Sequence, residues 1–407
     1  MIRHLFLLIA LLPPLHAQGA LTLRWLTEGE AALTSAEAPA EPAENEPRLP
    51  RPDEENGSRF ALQVFSELVK NSNGQSIVFS PASVEGVLRL LRIGARGKTA
   101  LELAALPLGR ADSATTIRLH EANALFADES LTLRTDIPQG CIYRVPFKKM
   151  PSVAAARING WVRQQTRGMI PTMVTPAQFG NQSTALLAAN AIALEEKWLR
   201  PFDRMQTSPN YTFTRADGST TTVNMMFNTA QYRSAAGDDW VAVALMYRAE
   251  GRSGHHGCLI GILPHGNARE FAATLTHEKY ESIRRALALA TPMELRVGLP
   301  AIEQLTPCFS LRDALQACGV RSLFSEAEAD LSGFSDSRLF VRDIQQRCYV
   351  KMDEQGVKAA AVTMAHMWDH AVAKPPTEII FERPFIWLIT ELTGPATPRF
   401  MGFFEGK

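Results

Sequence analysis

Three stretches of the 407-residue chain carry residue types and spacings that could do chemistry. The first, His255-His256-Gly257-Cys258, sets two imidazoles beside a thiol, a grouping able to hold a metal or to activate a cysteine nucleophile. Its spacing fits no zinc pattern. Leu259-Ile260-Gly261-Ile262-Leu263 follows at once, so Cys258 reads as the start of a buried strand. A hydrolase built on Cys258 and His256 remains only as the remote enzymatic reading. The second stretch, Gly94-Ala95-Arg96-Gly97-Lys98-Thr99, imitates a phosphate-binding loop. Its glycine spacing is wrong, and it follows a helical pattern where a strand is required. Neither Gly-x-Ser-x-Gly nor His-Glu-x-x-His occurs. The expectation is a protein that is not an enzyme, with no metal site and no cofactor.

The third stretch has the character of a segment with two conformations. Glu354-Gln355-Gly356 is followed by Val357-Lys358-Ala359-Ala360-Ala361-Val362-Thr363, and an irregular run then ends at Pro375-Pro376. Four alanines and two methionines between Val357 and Trp368 would suit a surface helix. Read at period two, Val357, Ala359, Ala361, Thr363, Ala365 and Met367 share an uncharged face, while Lys358, His366 and Trp368 take the other. A glycine pivot followed by small residues suits a segment that is loop in one state and buried strand in another.

The elements that must position such a segment can be read along the chain. Phe60, Ala61, Val64, Phe65 and Leu68 recur at helix spacing. Ile77-Val78-Phe79 reads as a short strand, and Ser80-Pro81 starts a second amphipathic helix that runs through Leu91. Later come Ile158-Asn159-Gly160-Trp161-Val162, Ala189-Asn190-Ala191-Ile192, Lys197-Trp198 and Pro201-Phe202-Asp203. The hairpin Ala216-Asp217-Gly218-Ser219 precedes Val223-Asn224-Met225-Met226, and Phe381-Glu382-Arg383-Pro384-Phe385 and Phe400-Met401-Gly402 close the series. Collinear over 57–407, this series resembles the serpins, with 354–378 in the place of their reactive-centre loop.

The resemblance implies an α+β fold of three β-sheets surrounded by about eight helices. It implies suicide inhibition of a protease, most readily a serine protease, in a covalent 1:1 complex: the loop is cut, the acyl-enzyme is trapped, and the freed segment enters the large sheet as a strand. About ten residues inserted at ~1 kcal/mol net per backbone hydrogen bond give on the order of 10 kcal/mol. The hinge falls on Glu354, Gly356, Val357, Ala359, Ala360, Ala361 and Thr363. Counting from Gly356 puts the cut between His370 and Ala371, and counting back from Glu378 puts it at Ala373. Asp369, Val372 and Lys374 complete the window. Ser80, Ser83, Asn190 and Gln346 correspond to the group controlling sheet opening, with Trp198 near the point of loop entry. A non-inhibitory binding or chaperone protein of the same fold is the alternative, but an uncharged Val357 and small residues at 359–362 favour insertion.

The chain departs from the family pattern in two places. Between Leu103 and Ala122 it is too short for the heparin-binding helix, so heparin binding is not expected. Gln346 stands where the family usually has a histidine, and an amide can still donate and accept without titrating.

Composition sets the remaining bounds. Net charge is zero and hydrophobic content is 46%, which argues for a large core and against nucleic acid as a partner. Arg3 and His4, the apolar run Leu5–Leu12 and a cleavage site after Ala17 read as a signal peptide over 1–17. The run is too short to span a bilayer, so an exported protein with no membrane partner is expected, extracellular or, in a bacterium, periplasmic or on the cell surface; a monomer is also expected. Residues 18–56, rich in Ala, Pro and Glu, read as a flexible acidic leader. Five cysteines exclude a disulfide-dense scaffold and leave room for one or two bridges.

Overall fold

Ser80 marks how directly this chain writes its elements. Its side chain accepts from the Ser83 N–H, and Pro81 fills the first turn of a helix, where its missing N–H costs nothing. The computed structural model describes residues 52–109, 117–179, 186–248, 257–356, 377–393 and 397–406. Chain order runs α1 (Pro52–Lys70), β1 (Ile77–Phe79), α2 (Pro81–Gly94), α3 (Gly97–Ala105), β2 (Leu119–Asp128), β3 (Ile142–Val145), α4 (Pro151–Gln165) and β4 (Leu186–Leu194). There follow β5 (Ser208–Thr214), β6 (Thr220–Ala236), β7 (Trp240–Met246), β8 (Cys258–Pro264), α5 (Ala268–Ala273), α6 (His277–Leu289) and β9 (Met293–Pro300). The rest is β10 (Ile302–Leu305), β11 (Phe309–Ser310), α7 (Arg312–Ala317), β12 (Ile344–Met352), β13 (Thr377–Ile380), β14 (Phe385–Thr390) and β15 (Phe400–Phe404).

The architecture is α+β. One sheet has the order β10-β12-β4-β2-β3, with β11 also on β12. The other runs β1-β15-β14-β8-β7-β6-β9-β13, with β5 also on β6. Three sheets and about eight helices were expected, whereas the described residues form two hydrogen-bonded sheets and seven α-helices. The long strand β6 accounts for the difference in sheets. It pairs with β9 over Met225–Tyr232 and with β7 over Arg233–Ala236, joining what would otherwise be separate sheets.

β8 and β14 are buried at every position, which is why they read as unbroken apolar runs. Helices α1, α2 and α6 pack Phe60, Leu88 and Tyr280 into a core with Ile260 and Leu388 from these strands. A second core gathers Trp198, Val297, Phe381 and Trp387. A third places Ile158 and Val162 of α4 against Ala122, Phe126, Ala189 and Ala191 of β2 and β4.

Some sequence expectations are revised. Helix α1 begins at Pro52, inside the stretch read as leader. All five cysteines are unpaired. Lys98 and Thr99 lie in α3, and the Thr99 hydroxyl accepts from the Asp330 N–H (3.0 Å) and bonds Ser322 Oγ (3.0 Å), so the phosphate-loop lookalike is a packed corner. Among the described residues, no helix is long and apolar enough to cross a membrane.

Candidate functional site

β4, Leu-Leu-Ala-Ala-Asn-Ala-Ile-Ala-Leu, is a strand of small residues with a single polar side chain. On one side it pairs antiparallel with β2 at nine positions, from Leu119↔Leu194 to Ala127↔Leu186. On the other it pairs parallel with β12 at six positions, from Ile344↔Ala188 to Tyr349↔Ala193. The β4–β12 contact forms a seam, because the chain leaves β12 at the end of that contact.

A polar rung crosses the sheet at this seam. Gln346 faces Asn190 across the seam, and Asn190 faces Asn123 of β2. Gln346 Nε2 donates to Asn190 Oδ1 (2.6 Å) and to Ser80 O (2.9 Å), while its Oε1 accepts from the Ser80 N–H (3.0 Å). Asn190 Nδ2 donates to Asn123 Oδ1 (2.9 Å), which also accepts from Ser83 Oγ (2.9 Å). Ser80 Oγ donates to Arg399 O (2.7 Å). Ser80, Ser83, Asn190 and Gln346 are fully buried, so these bonds are what makes their burial tolerable. The amide at 346 uses both its donor and its acceptor capacity. Asn123 was not anticipated: an asparagine between alanines in one strand gives no sign of its partner, and only the β2–β4 register pairs it with Asn190.

The segment read as the hinge begins at the end of β12 with a tight turn. The Asp353 N–H donates to Gly356 O (3.0 Å), and the Gly356 N–H returns to Asp353 O (3.1 Å). Gly356 has φ +122°, and a Cβ there would meet Glu196 O and Lys197 Cα at 2.5 Å, so only glycine fits. Glu354 is tied down twice: its carbonyl accepts from the Phe202 N–H (2.7 Å), and its Oε1 accepts from Thr207 Oγ1 (2.8 Å). Trp198 holds the turn from the β4 side. Its backbone N–H donates to Gln355 O (3.2 Å), its Nε1 donates to Asp353 O (2.8 Å), and its ring stacks on Tyr247 with centroids 5.0 Å apart. Among the described residues the buried Tyr247 hydroxyl has no partner, and burial raises its pKa.

Val357, Ala359, Ala360, Ala361 and Thr363 of the expected hinge lie outside the described residues, as do Asp369, His370, Ala371, Val372, Ala373 and Lys374 of the expected scissile window. Description resumes at Thr377, where β13 pairs parallel with β9 from Thr377↔Leu295 to Ile380↔Gly298. Residues 357–376 thus connect the end of the seam in one sheet to the edge of the other. His255 and His256 also fall outside, while Cys258 is fully buried in β8 with its thiol pKa pushed up by burial, the opposite of what a nucleophile needs.

Comparison with known proteins follows the same lines. A family model described as Serpin (serine protease inhibitor) matches residues 55–404. The chain is similar to glia-derived nexin of Homo sapiens, 27% identical over 365 residues covering 83% of this chain and 89% of that protein. It is 28% identical over 363 residues to leukocyte elastase inhibitor of Bos taurus, covering 82% and 93%. Its fold resembles native protease nexin-1 in a crystal structure with heparin, with TM-score 0.74 at 23% identity, covering 87% of this chain and 99% of that one.

Proposed function

Because the chain belongs to the serpin family, we propose that it is a suicide inhibitor of an extracellular protease, most readily a serine protease. The target cuts the loop after Gly356, forms an acyl-enzyme, and is trapped covalently in a 1:1 complex when the freed segment inserts between β4 and β12. The observation that carries this reading is the seam itself. β4 and β12 run parallel, and the chain leaves β12 through a turn seated on Lys197 at the end of β4. A strand folding back from that turn runs antiparallel to both neighbours and gains a ladder on each side, replacing one short parallel ladder. The rung of Ser80, Ser83, Asn190 and Gln346, with Trp198 at the entry, resists this opening until cleavage frees the loop.

The hinge is Glu354, Gly356, Val357, Ala359, Ala360, Ala361 and Thr363, and the cut lies between His370 and Ala371 within the window 369–374. Export follows from the N-terminal reading over 1–17. The proposal includes no cofactor and no heparin activation, since 103–122 is too short for the helix that would supply it.

Incubation with trypsin-, chymotrypsin- and elastase-like proteases tests the proposal. A complex that survives denaturing electrophoresis, with a released C-terminal peptide beginning inside the window, is the expected result. Clean cleavage by all three without a complex, and without a rise in thermal stability, moves the protein to the non-inhibitory members of the fold.

A further inference from the structure

His120 lies in β2 on the face that α4 covers, in the same alternation as Ala122, Ala124 and Phe126. Glu195 follows β4 two residues past Ala193, the cross-strand partner of His120. His120 Nε2 meets Glu195 Oε2 at 3.2 Å, and the same oxygen lies 3.7 Å from Arg167 Nη1. One carboxylate therefore joins β2, the end of β4 and the turn after α4. Arg167 is placed there at a cost in backbone strain. It sits in the left-handed region with φ +49°, ahead of Gly168 at φ +82°, and the Gly168 N–H closes the turn on Arg163 O (2.7 Å). The side chain of His120 is 12% exposed and that of Arg167 70%, so the imidazole is enclosed while its competitor for Glu195 reaches water.

We propose that this trio is an acid-released latch: protonation of His120 loosens the turn after α4 from β2 and β4. A neutral imidazole donates one hydrogen bond to Glu195 and costs little in this place. An imidazolium must share the one carboxylate with Arg167. Burial, with Arg167 and Arg118, holds the His120 pKa below its usual value against the pull of Glu195. The other charged and titratable groups nearby are engaged elsewhere. Glu196 accepts from the Arg118 N–H, and Arg163 Nη2 donates to Pro171 O (3.2 Å). Tyr349, beyond Ala193 on the same row, donates its phenol to Glu303 (3.3 Å), and burial keeps it neutral. A depressed folded-state pKa means that opening takes up a proton. The latch thus holds fully above the unfolded value of about 6.5 and loosens as pH falls below it. Release is a property of the uncleaved chain and needs no protease. That it eases strand insertion rests on the function proposed above, because α4 covers β2 and β4 beside the seam.

Hydrogen exchange of the full uncleaved chain, read by mass spectrometry on peptides from 159–175, is the test. His120→Gln is the reference, since it keeps a donor and cannot titrate, and comparison at each pH cancels the intrinsic pH dependence of exchange. Relative to His120→Gln, the opening constant of the parent is expected to rise roughly three- to tenfold between about pH 7.5 and about pH 5.5. NMR titration of the His120 ring in the parent gives a readout that does not depend on how that variant folds. The ring should titrate below about 6.5, higher in Arg167→Gln and lower still in Glu195→Gln. A ratio that stays flat between the two pH values, protection that increases in acid, or a ring titrating at or above about 6.5 overturns the proposal. Acid loosening in a chain that traps no protease supports the latch all the same, so the two readings fail separately.

Discussion

β4 treats its two neighbours differently. Towards β2 it offers nine antiparallel pairs, and α4 fastens that contact by packing Ile158 and Val162 over Ala122, Ala124, Ala189 and Ala191. Towards β12 it offers six parallel pairs, a geometry slightly weaker per residue. What crosses that second edge is a small number of directional contacts. They are the Gln346–Asn190 rung, the hinge turn on Trp198, and a strap after α4 where Arg347 donates to Thr172 O and Gln178 Nε2 donates to Gln345 Oε1 (3.1 Å). A sheet that is continuous with one neighbour and pinned to the other separates at the pins. Resistance to opening should therefore concentrate in a few residues and not spread over the strand.

The largest expected effect is at the Gly356 turn. Gly356→Ala drives a methyl into Glu196 O and Lys197 Cα and forces an L-residue to φ +122°. The uncleaved protein should lose on the order of 3 kcal/mol, read as a lower urea midpoint. An unchanged midpoint would mean that the turn does not help hold β12 against β4.

Gln346→Leu is next. It leaves the Ser80 N–H, Ser80 O and Asn190 Oδ1 without this partner in a fully buried place, a cost of about 2–3 kcal/mol. A companion variant adds a pH axis. The native rung residues Ser80, Ser83, Asn123, Asn190 and Gln346 have no side chain that titrates between about pH 5 and 8, so they should add no pH dependence to seam stability across that range. Gln346→His changes this. A neutral imidazole can accept from the Ser80 N–H, whereas an imidazolium donates at both nitrogens and cannot. The variant should lose stability relative to the parent as pH falls through the histidine range, and parallel pH profiles would refute the rung's role.

The sequence made these residues legible to different depths. Ser80 and Pro81 announce a helix start by local chemistry, and β8 announces itself by an unbroken apolar run. Ser83, Asn190 and Gln346 were identified through resemblance, and their role in opening the sheet remains proposed. Asn123 escaped because its importance depends on cross-strand register, which no local window contains. The start of α1 escaped for another reason. Pro52 followed by Asp53, Glu54 and Glu55 is a helix-start pattern, but it sits inside a stretch whose Ala/Pro/Glu composition is that of a leader. β6 hid its double membership because a strand of 17 residues carries no mark where it changes partner.

Asn123→Ala probes the other edge of β4. It removes the acceptor shared by Ser83 Oγ and Asn190 Nδ2, and about 1–2 kcal/mol should be lost. The backbone ladder with β2 remains, so the loss should lower unfolding stability without accelerating loop insertion after cleavage. If Asn123→Ala speeds insertion as much as Gln346→Leu does, the two edges of β4 are mechanically one unit and do not differ in how they open.

The smallest effect has the opposite sign. Tyr247 stacks on Trp198 beneath the hinge, yet its buried hydroxyl has no partner among the described residues. Tyr247→Phe keeps the stacked ring and removes the orphaned group, which should stabilise the uncleaved protein by about 1 kcal/mol, or roughly 2 °C in Tm. The same substitution in the cleaved, loop-inserted protein sharpens the comparison. If insertion gives the hydroxyl a partner, the cleaved variant loses stability while the uncleaved one gains it, and both changes favour the closed seam. If both forms gain equally, the hydroxyl is a fixed cost of the core beneath the hinge and contributes nothing to the drive for opening.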